Sequence, residues 1–405
     1  MANKSCTALS FRTDFPGYID LLRTTTGGNF TLVLQDCRLE ICGALWGSGN
    51  PDISGIGMAT GYLLETLLCI VLSCMHIWLY YRSPQRGHRG KEARYARLLS
   101  VAASTTFDVA VFFAFAIQIA CCVTLGRANF GMGADGMGAL TMKIAWLVST
   151  MTMLPLVLLV VRPQMFAGRH GGSRLGDEGA GNAATTGSLD GTARLPCVCG
   201  EKLEQLDAKR QGHRFLLFVV CWVGSFYPFF SRMAGTFGAS QIGDSPDSAI
   251  STADFSIIET ACFGAVHGIT QAQESAITAF GAASWLFISI LVIYGIVLSA
   301  LKSSNKLDKT WIERHGLMFT LAPPPTHAGD MGVWLGICMV VVFFIVAQLW
   351  AFFRLRRLQS EMTEAAGGRF PDGQWTFGQI IAVVGFLPVG AEVVFHWRSR
   401  RGDVH

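Results

Sequence analysis

Seven long apolar runs constrain this chain more than any other feature. They cover about 55–81, 98–125, 139–161, 215–233, 276–301, 332–353 and 377–395. A helix rises ~1.5 Å per residue, so about 20 apolar residues cross the ~30 Å of hydrocarbon in a bilayer. The sequence therefore predicts an all-α integral membrane bundle of about seven transmembrane helices. The charge content agrees: 15% of residues are charged, where a soluble domain carries roughly a quarter. The deficit is concentrated in the seven runs.

Around them the chain is expected to divide into a lumenal N-terminal segment 1–54, spans one to three within 55–161, a flexible cytoplasmic loop 162–214, and spans four to seven within 215–395. The last block contains an acidic segment, 234–275, and a basic tail, 396–405, follows it. Gly168 to Gly191 is rich in Gly, Ala, Ser and Thr, a composition that resists packing. Pro155 predicts a kink in the third span. Orientation follows from basic residues, which favour cytoplasmic loops. Arg82, Arg86, Arg89, Lys91, Arg94 and Arg97 are opposed only by Glu92, so that loop is expected in the cytoplasm. The N-terminus then lies in the lumen, in keeping with an endoplasmic-reticulum protein. The Asn29-Phe30-Thr31 sequon falls on the glycosylating side. Cys37 and Cys42 are close enough in sequence to pair there, free thiols being the alternative. Arg354, Arg356 and Arg357 disagree, since they fall outside. Counting 255–269 as an eighth span would move them in and the tail out. That stretch is short and carries Glu259 and His267, so seven spans are preferred. No internal repeat suggests an inverted-repeat transporter.

An ionised side chain at the bilayer centre costs at least ~2.5–3.5 kcal/mol, so carboxylates inside the spans are functional candidates. Glu65, Asp108 and Glu392 qualify. Asp108 shares a helix face with Phe112 and Phe115, with Gln118 beside it. A carboxyl in an apolar, aromatic setting can keep its proton near neutral pH and donate it; the plain alternative is a packing hydrogen bond. Glu392 lies near the interface and Arg398, where solvation accounts for it. Asp254, Glu259 and His267 could close a cavity from the lumenal side, or simply form a solvated acidic loop. Trp146, Trp222, Phe226, Tyr227, Phe229, Phe230 and Trp285 could shield cations, although aromatics more often mark interfaces and lipid faces. No tandem CxxC spacing suggests zinc, no metal or cofactor is expected, and no basic-aromatic face suggests nucleic acid.

Three motifs carry a resemblance. Gly49-Asn50-Pro51-Asp52-Ile53-Ser54-Gly55-Ile56-Gly57 leads into the first span. Phe107-Asp108 through Gln118-Ile119-Ala120 lies in the second, and Trp375-Thr376-Phe377-Gly378-Gln379-Ile380-Ile381-Ala382 opens the last. Together they resemble a large group of fungal multi-pass membrane proteins. The matches are short but distributed over most of the chain; the loops are unmatched. The resemblance extends to the membrane-bound terpene cyclases of meroterpenoid (ascofuranone-type) biosynthesis. It implies cyclisation of a lipophilic prenylated substrate, begun by protonating an epoxide or alkene, without metal or diphosphate departure. Asp108 carries over as proton donor or its partner, with Glu65 assisting. Gln118, Phe112, Phe115, Trp146, Trp222, Tyr227, Trp285 and Gln379 would shape the substrate pocket. One departure matters: the group has Gln where this chain has Glu65, which makes Glu65 either a specialised acid or a tolerant position. A proton-coupled transporter or channel using the same acids, and a seven-helix receptor-like protein, are the other functions this layout permits.

Overall fold

The computed structural model describes Cys6 and residues 15–26, 30–47, 49–82, 91–126, 138–160, 199–237, 242–246, 248–264, 266, 268–303, 328–373 and 375–399. Fourteen helices are named here: α1 (Phe15–Thr26), α2 (Phe30–Trp46), α3 (Pro51–Ser54), α4 (Ile56–Arg82), α5 (Lys91–Gly126), α6 (Ala139–Met151), α7 (Met153–Val160), α8 (Cys199–Gly224), α9 (Phe226–Phe237), α10 (Thr252–Phe263), α11 (Gln271–Ser303), α12 (Ala328–Ala365), α13 (Phe377–Val384) and α14 (Leu387–Ser399). Among the described residues the only β pairing is an isolated bridge, Ile242 to Ile250. Among the described residues, seven spans are long and apolar enough to cross a membrane: Pro51–Leu79, Leu98–Gly126, Ala139–Val160, Gly212–Ala234, Gln271–Leu298, Gly332–Ala365 and Gly378–Phe395. The chain is an all-α integral membrane protein. Its residues group into two units, 1–159 with 218–291 and 338–405, and 160–217 with 292–337. The helical parts of the second unit are 199–217 of α8, 292–303 of α11 and 328–337 of α12.

Prolines set the breaks inside spans. Where Pro155 predicts a kink, the helix is interrupted: α6 gives way to α7 at Thr152. The fourth span breaks at Ser225 ahead of Pro228, and the seventh at 385–386 ahead of Pro388. Proline lacks an N–H and crowds the carbonyl four residues back, here Met151, Gly224 and Val384. Cys122 Sγ donates to the Gly224 carbonyl over 3.7 Å, which is how neighbours make such breaks tolerable in a membrane.

The third span sits at the centre of the first unit. Within its apolar window 94% of residues are buried, against 22% to 44% in the other six spans. Close approach is allowed by Gly281 of α11, where a Cβ would collide with the Trp146 ring. Gly281→Ala is expected to destabilise the protein by about 1–3 kcal/mol through overpacking, read as a lower midpoint in thermal unfolding in detergent.

A helical cap precedes the first span. Phe15, Tyr18, Ile19 and Leu22 of α1 pack with Leu34, Cys37 and Ile41 of α2 and Ile258, Cys262 and Phe263 of α10. Trp46 meets Phe255 and Phe263 at ring distances of 5.7 and 5.2 Å. Two disulfides staple the cap, Cys6–Cys37 and Cys42–Cys262, with Cα separations of 5.4 and 5.5 Å. The expected Cys37–Cys42 pairing is therefore wrong. Five residues apart on a helix, the two are displaced ~7.5 Å along the axis and point about 140° apart, beyond the reach of a disulfide. The 255–269 stretch is not an eighth span either. Its helix, α10, has 12 residues, ~18 Å of rise, and is bonded to α2.

Candidate functional site

Glu65 lies on α4 at the centre of the Pro51–Leu79 span, ~14 Å along the axis from Ile56. Its side chain is 1% exposed, and its Oε1 has no hydrogen-bond partner. The burial is encoded by a polar stripe at helical spacing. Tyr62, Glu65, Thr66, Cys69, Ser73 and His76 are all buried, whereas Leu63, Leu67, Val71 and Met75 are exposed. Two members of the stripe find hydrogen-bond partners in the protein that lipid does not offer. Tyr62 Oη donates to the Ile53 carbonyl at 2.8 Å, and Ser73 Oγ to that of Leu158 at 3.5 Å. Tyr62, Cys69 and Cys221 lie within electrostatic reach of the Glu65 carboxyl. None of these is a cation.

Asp108 stands in different surroundings. It is half-buried on α5, and its face-mates Phe112 and Phe115 are 63% and 39% exposed. The three do share a face, but that face turns outward, so its aromatics do not enclose the carboxyl. Gln118 is buried and fully engaged: Nε2 donates to the Ser149 carbonyl at 2.7 Å, and Oε1 accepts from Ser149 Oγ at 2.6 Å. It ties α5 to the central α6.

The aromatics gather between α8–α9 and α11 in a closed ring of hydrogen bonds. Trp222 Nε1 donates to Ser289 Oγ (2.9 Å), which donates to the Trp285 carbonyl (2.8 Å). Trp285 Nε1 donates to Ser225 Oγ (3.0 Å), which donates back to the Trp222 carbonyl (2.6 Å). Phe229 stacks on Trp285 at 3.8 Å, and Phe226 meets Trp222 and Trp285 edge-on at 4.7 and 5.1 Å. These rings fill one another's space. Tyr227 is half-buried on α9. Trp146 is buried on α6 with Nε1 unpartnered, and the Arg232 guanidinium lies 6.0 Å from its ring. Arg232 Nη2 and Lys143 Nζ converge on Glu274 Oε1 at 3.5 and 2.5 Å. The sequence hinted at this ion cluster only through a lone Lys in the third apolar run.

The first and last resemblance motifs meet in a polar knot around the break between α3 and α4. Asn50 caps α3, its Oδ1 accepting from Asp52 N at 3.1 Å, and reaches Thr124 Oγ1 at 3.2 Å. Gln379 donates to the Pro51 carbonyl and accepts from Gly57 N, both at 2.9 Å. A Cβ on Gly55 would strike the Gln379 amide. Arg356 donates to the carbonyls of Ser54 (2.7 Å) and Asp372 (3.2 Å). Ser54 Oγ donates to Asp372 Oδ2, and Asp372 Oδ1 abuts Gly49, whose φ is +105°. Gln379, expected to line a substrate pocket, thus holds two backbone groups. The knot fixes the entry of the first span against the second, sixth and seventh.

Asp372 makes the knot sensitive to pH. Burial pushes its carboxyl above the ordinary aspartate value and Asp52 adds to the rise, while the Ser54 hydroxyl and the Arg356 guanidinium pull it down. With the net shift upward, the native state holds this proton to a higher pH than the unfolded chain does. The resulting stabilisation is complete below the unfolded value, about 3.9, and is lost as pH rises through the native one. Asp372→Asn is expected to flatten that fall, seen by comparing thermal midpoints of variant and parent from about pH 4 to about pH 8.

The acids of the 234–275 segment differ in their surroundings. Asp254 is half-buried in the first turn of α10, where its N–H donates to Ser251 Oγ at 3.1 Å. Glu259 is exposed, and His267 lies outside the described residues. Glu392 is exposed on α14. Among the described residues no three His, Cys, Asp or Glu side chains group as metal ligands. Comparison with protein-family models, curated proteins and solved structures gives no match.

Proposed function

We propose that this protein is a membrane-bound cyclase that protonates an epoxide or alkene of a prenylated substrate, with Glu65 as the proton donor. The observation that carries the reading is the Glu65 carboxyl, buried at mid-span with Oε1 unpartnered. An isolated charge is costly in such surroundings, so this position suits a carboxyl that holds a proton until a substrate oxygen or alkene takes it. In the epoxide case the proton moves from Glu65 to the oxygen as a C–O bond breaks. A neighbouring alkene then supplies the electron pair of the new C–C bond, and loss of a proton quenches the final cation. The resemblance supplies the substrate class. Asp108, half-buried, has a secondary place.

The same proposal puts the N-terminus in the lumen of the endoplasmic reticulum. Two disulfides in the cap support this, since such bonds persist in oxidising compartments. Arg356 weighs less against it than a free loop cation would, because it braces the knot, and Arg357 pairs with Glu361 at 2.7 Å. Microsomes containing the protein are incubated with a farnesylated aromatic epoxide and with its alkene parent. A cyclised isomer, absent from control microsomes, is the expected product. Proton-coupled flux of solute in vesicles without any isomer would move Glu65 to the transporter reading.

A further inference from the structure

We infer that a groove between α4, α5 and the α13–α14 span is a binding site for an anionic phospholipid, one that takes its acyl chain between the helices and its phosphate at a basic rim. This stands independently of the proposed chemistry. The groove has a volume of about 980 Å³ and predominantly apolar walls, among them Leu68, Leu72, Leu99 and Val389. Trp78 and Tyr95 line one end and are 55% and 58% exposed. Aromatic side chains of this kind settle at headgroup level, so they mark where hydrocarbon gives way to the interface.

Charge decides the occupant. Each of the three walls runs into basic residues at that same end. Helix α4 finishes at Arg82, α5 begins at Lys91 with Arg94 and Arg97 in its first turns, and α14 finishes one residue after Arg398. Only Glu92 and Glu392 oppose them on these stretches. A neutral chain would need the groove but not the rim, and a soluble phosphate the rim but not the groove. A phospholipid with net negative charge uses both, as basic pockets between membrane helices do. Gly390 lines the groove, and a Cβ there would meet no atom within 4 Å, so a side chain can be added without disturbing the helices.

The test uses the full chain, purified in a neutral detergent, with native mass spectrometry and nanodisc titration as readouts. The probes are phosphatidylglycerol, phosphatidylcholine with the same acyl chains, and chainless glycerol phosphate. The parent protein is expected to retain phosphatidylglycerol about tenfold or more over phosphatidylcholine. Neutralising R82Q, K91Q, R94Q, R97Q and R398Q together should abolish that preference, since each basic residue near the surface contributes about fivefold. Gly390→Leu and Gly390→Trp should fill the groove and lose the bound lipid progressively, with thermal midpoints unchanged. Equal retention of the two lipids by the parent protein would overturn the proposal. So would unchanged phosphatidylglycerol binding in folded Gly390→Trp, or displacement of the lipid by glycerol phosphate at equal concentration, either of which leaves the groove without a part.

Discussion

Glu65→Gln is expected to slow cyclisation by about 10²–10⁴-fold, the range that a positioned general acid supplies, without unfolding the protein. The two effects can be separated because Glu65 Oε1 makes no hydrogen bond. Removing a buried polar group usually orphans its partner, and that orphan accounts for much of the cost. Here no partner is left behind at Oε1. Glu65→Leu should therefore raise the thermal midpoint, by about 1–3 kcal/mol of stability, while abolishing turnover. A carboxyl kept only for packing would behave the other way, losing stability and keeping activity. Asp108→Asn is the contrasting variant. Its half-exposed position predicts a much smaller loss of rate than Glu65→Gln. Product formation per unit of membrane protein, followed by mass spectrometry beside thermal unfolding, reads both quantities. Full loss in Asp108→Asn with normal turnover in Glu65→Gln would transfer the donor role to Asp108.

The contrast between these two acids also marks how far the sequence could be read. Helix length and mean hydropathy are local properties, so the seven spans were legible, and Pro155 marked the interruption of the third. Which face of a span turns inward depends on neighbours that are distant in sequence. Phe112 and Phe115 share a face with Asp108 as their spacing requires, yet an aromatic face suits lipid as well as it suits a pocket. The third span reads like the others, with a hydropathy of 1.8 equal to that of the first and last, and only the surrounding helices make it central. Glu65 did carry a usable signal. Tyr62, Thr66, Cys69, Ser73 and His76 repeat on its face, and a polar stripe in a membrane helix must find protein. The motif residues Asn50, Ser54, Gly55 and Gln379 were visible as a pattern. Their joint task, pairing the backbone groups freed where α3 breaks from α4, required the sixth and seventh spans to be in place.

Cutting the chain inside residues 168–191 should leave two fragments that stay joined until a reductant is added. Cys42 and Cys262 lie on opposite sides of that cut and are bonded across 220 residues of sequence, whereas Cys6–Cys37 lies wholly in the first fragment. A specific protease site placed in this Gly- and Ser-rich stretch, with protease added outside sealed microsomes, tests bond and orientation together. If the loop is cytoplasmic, cleavage proceeds without detergent, and the fragments migrate as one species without reductant and as two with it. Cys262→Ser should separate them without reductant. Cleavage that requires detergent would invert the proposed topology, and fragments that part unaided would remove the bond. The energetic consequence is large. Closing a loop of this length is worth about 5 kcal/mol in the chain-entropy account, with 2–5 kcal/mol typical when a native disulfide is lost. The loss should be concentrated in the cap, because Cys42 and Cys262 hold α2 to α10 while the membrane spans keep their own packing. Paired Cys42→Ala and Cys262→Ala substitutions are therefore expected to raise hydrogen exchange in 15–46 and 252–263 well before it rises in α6 or α7.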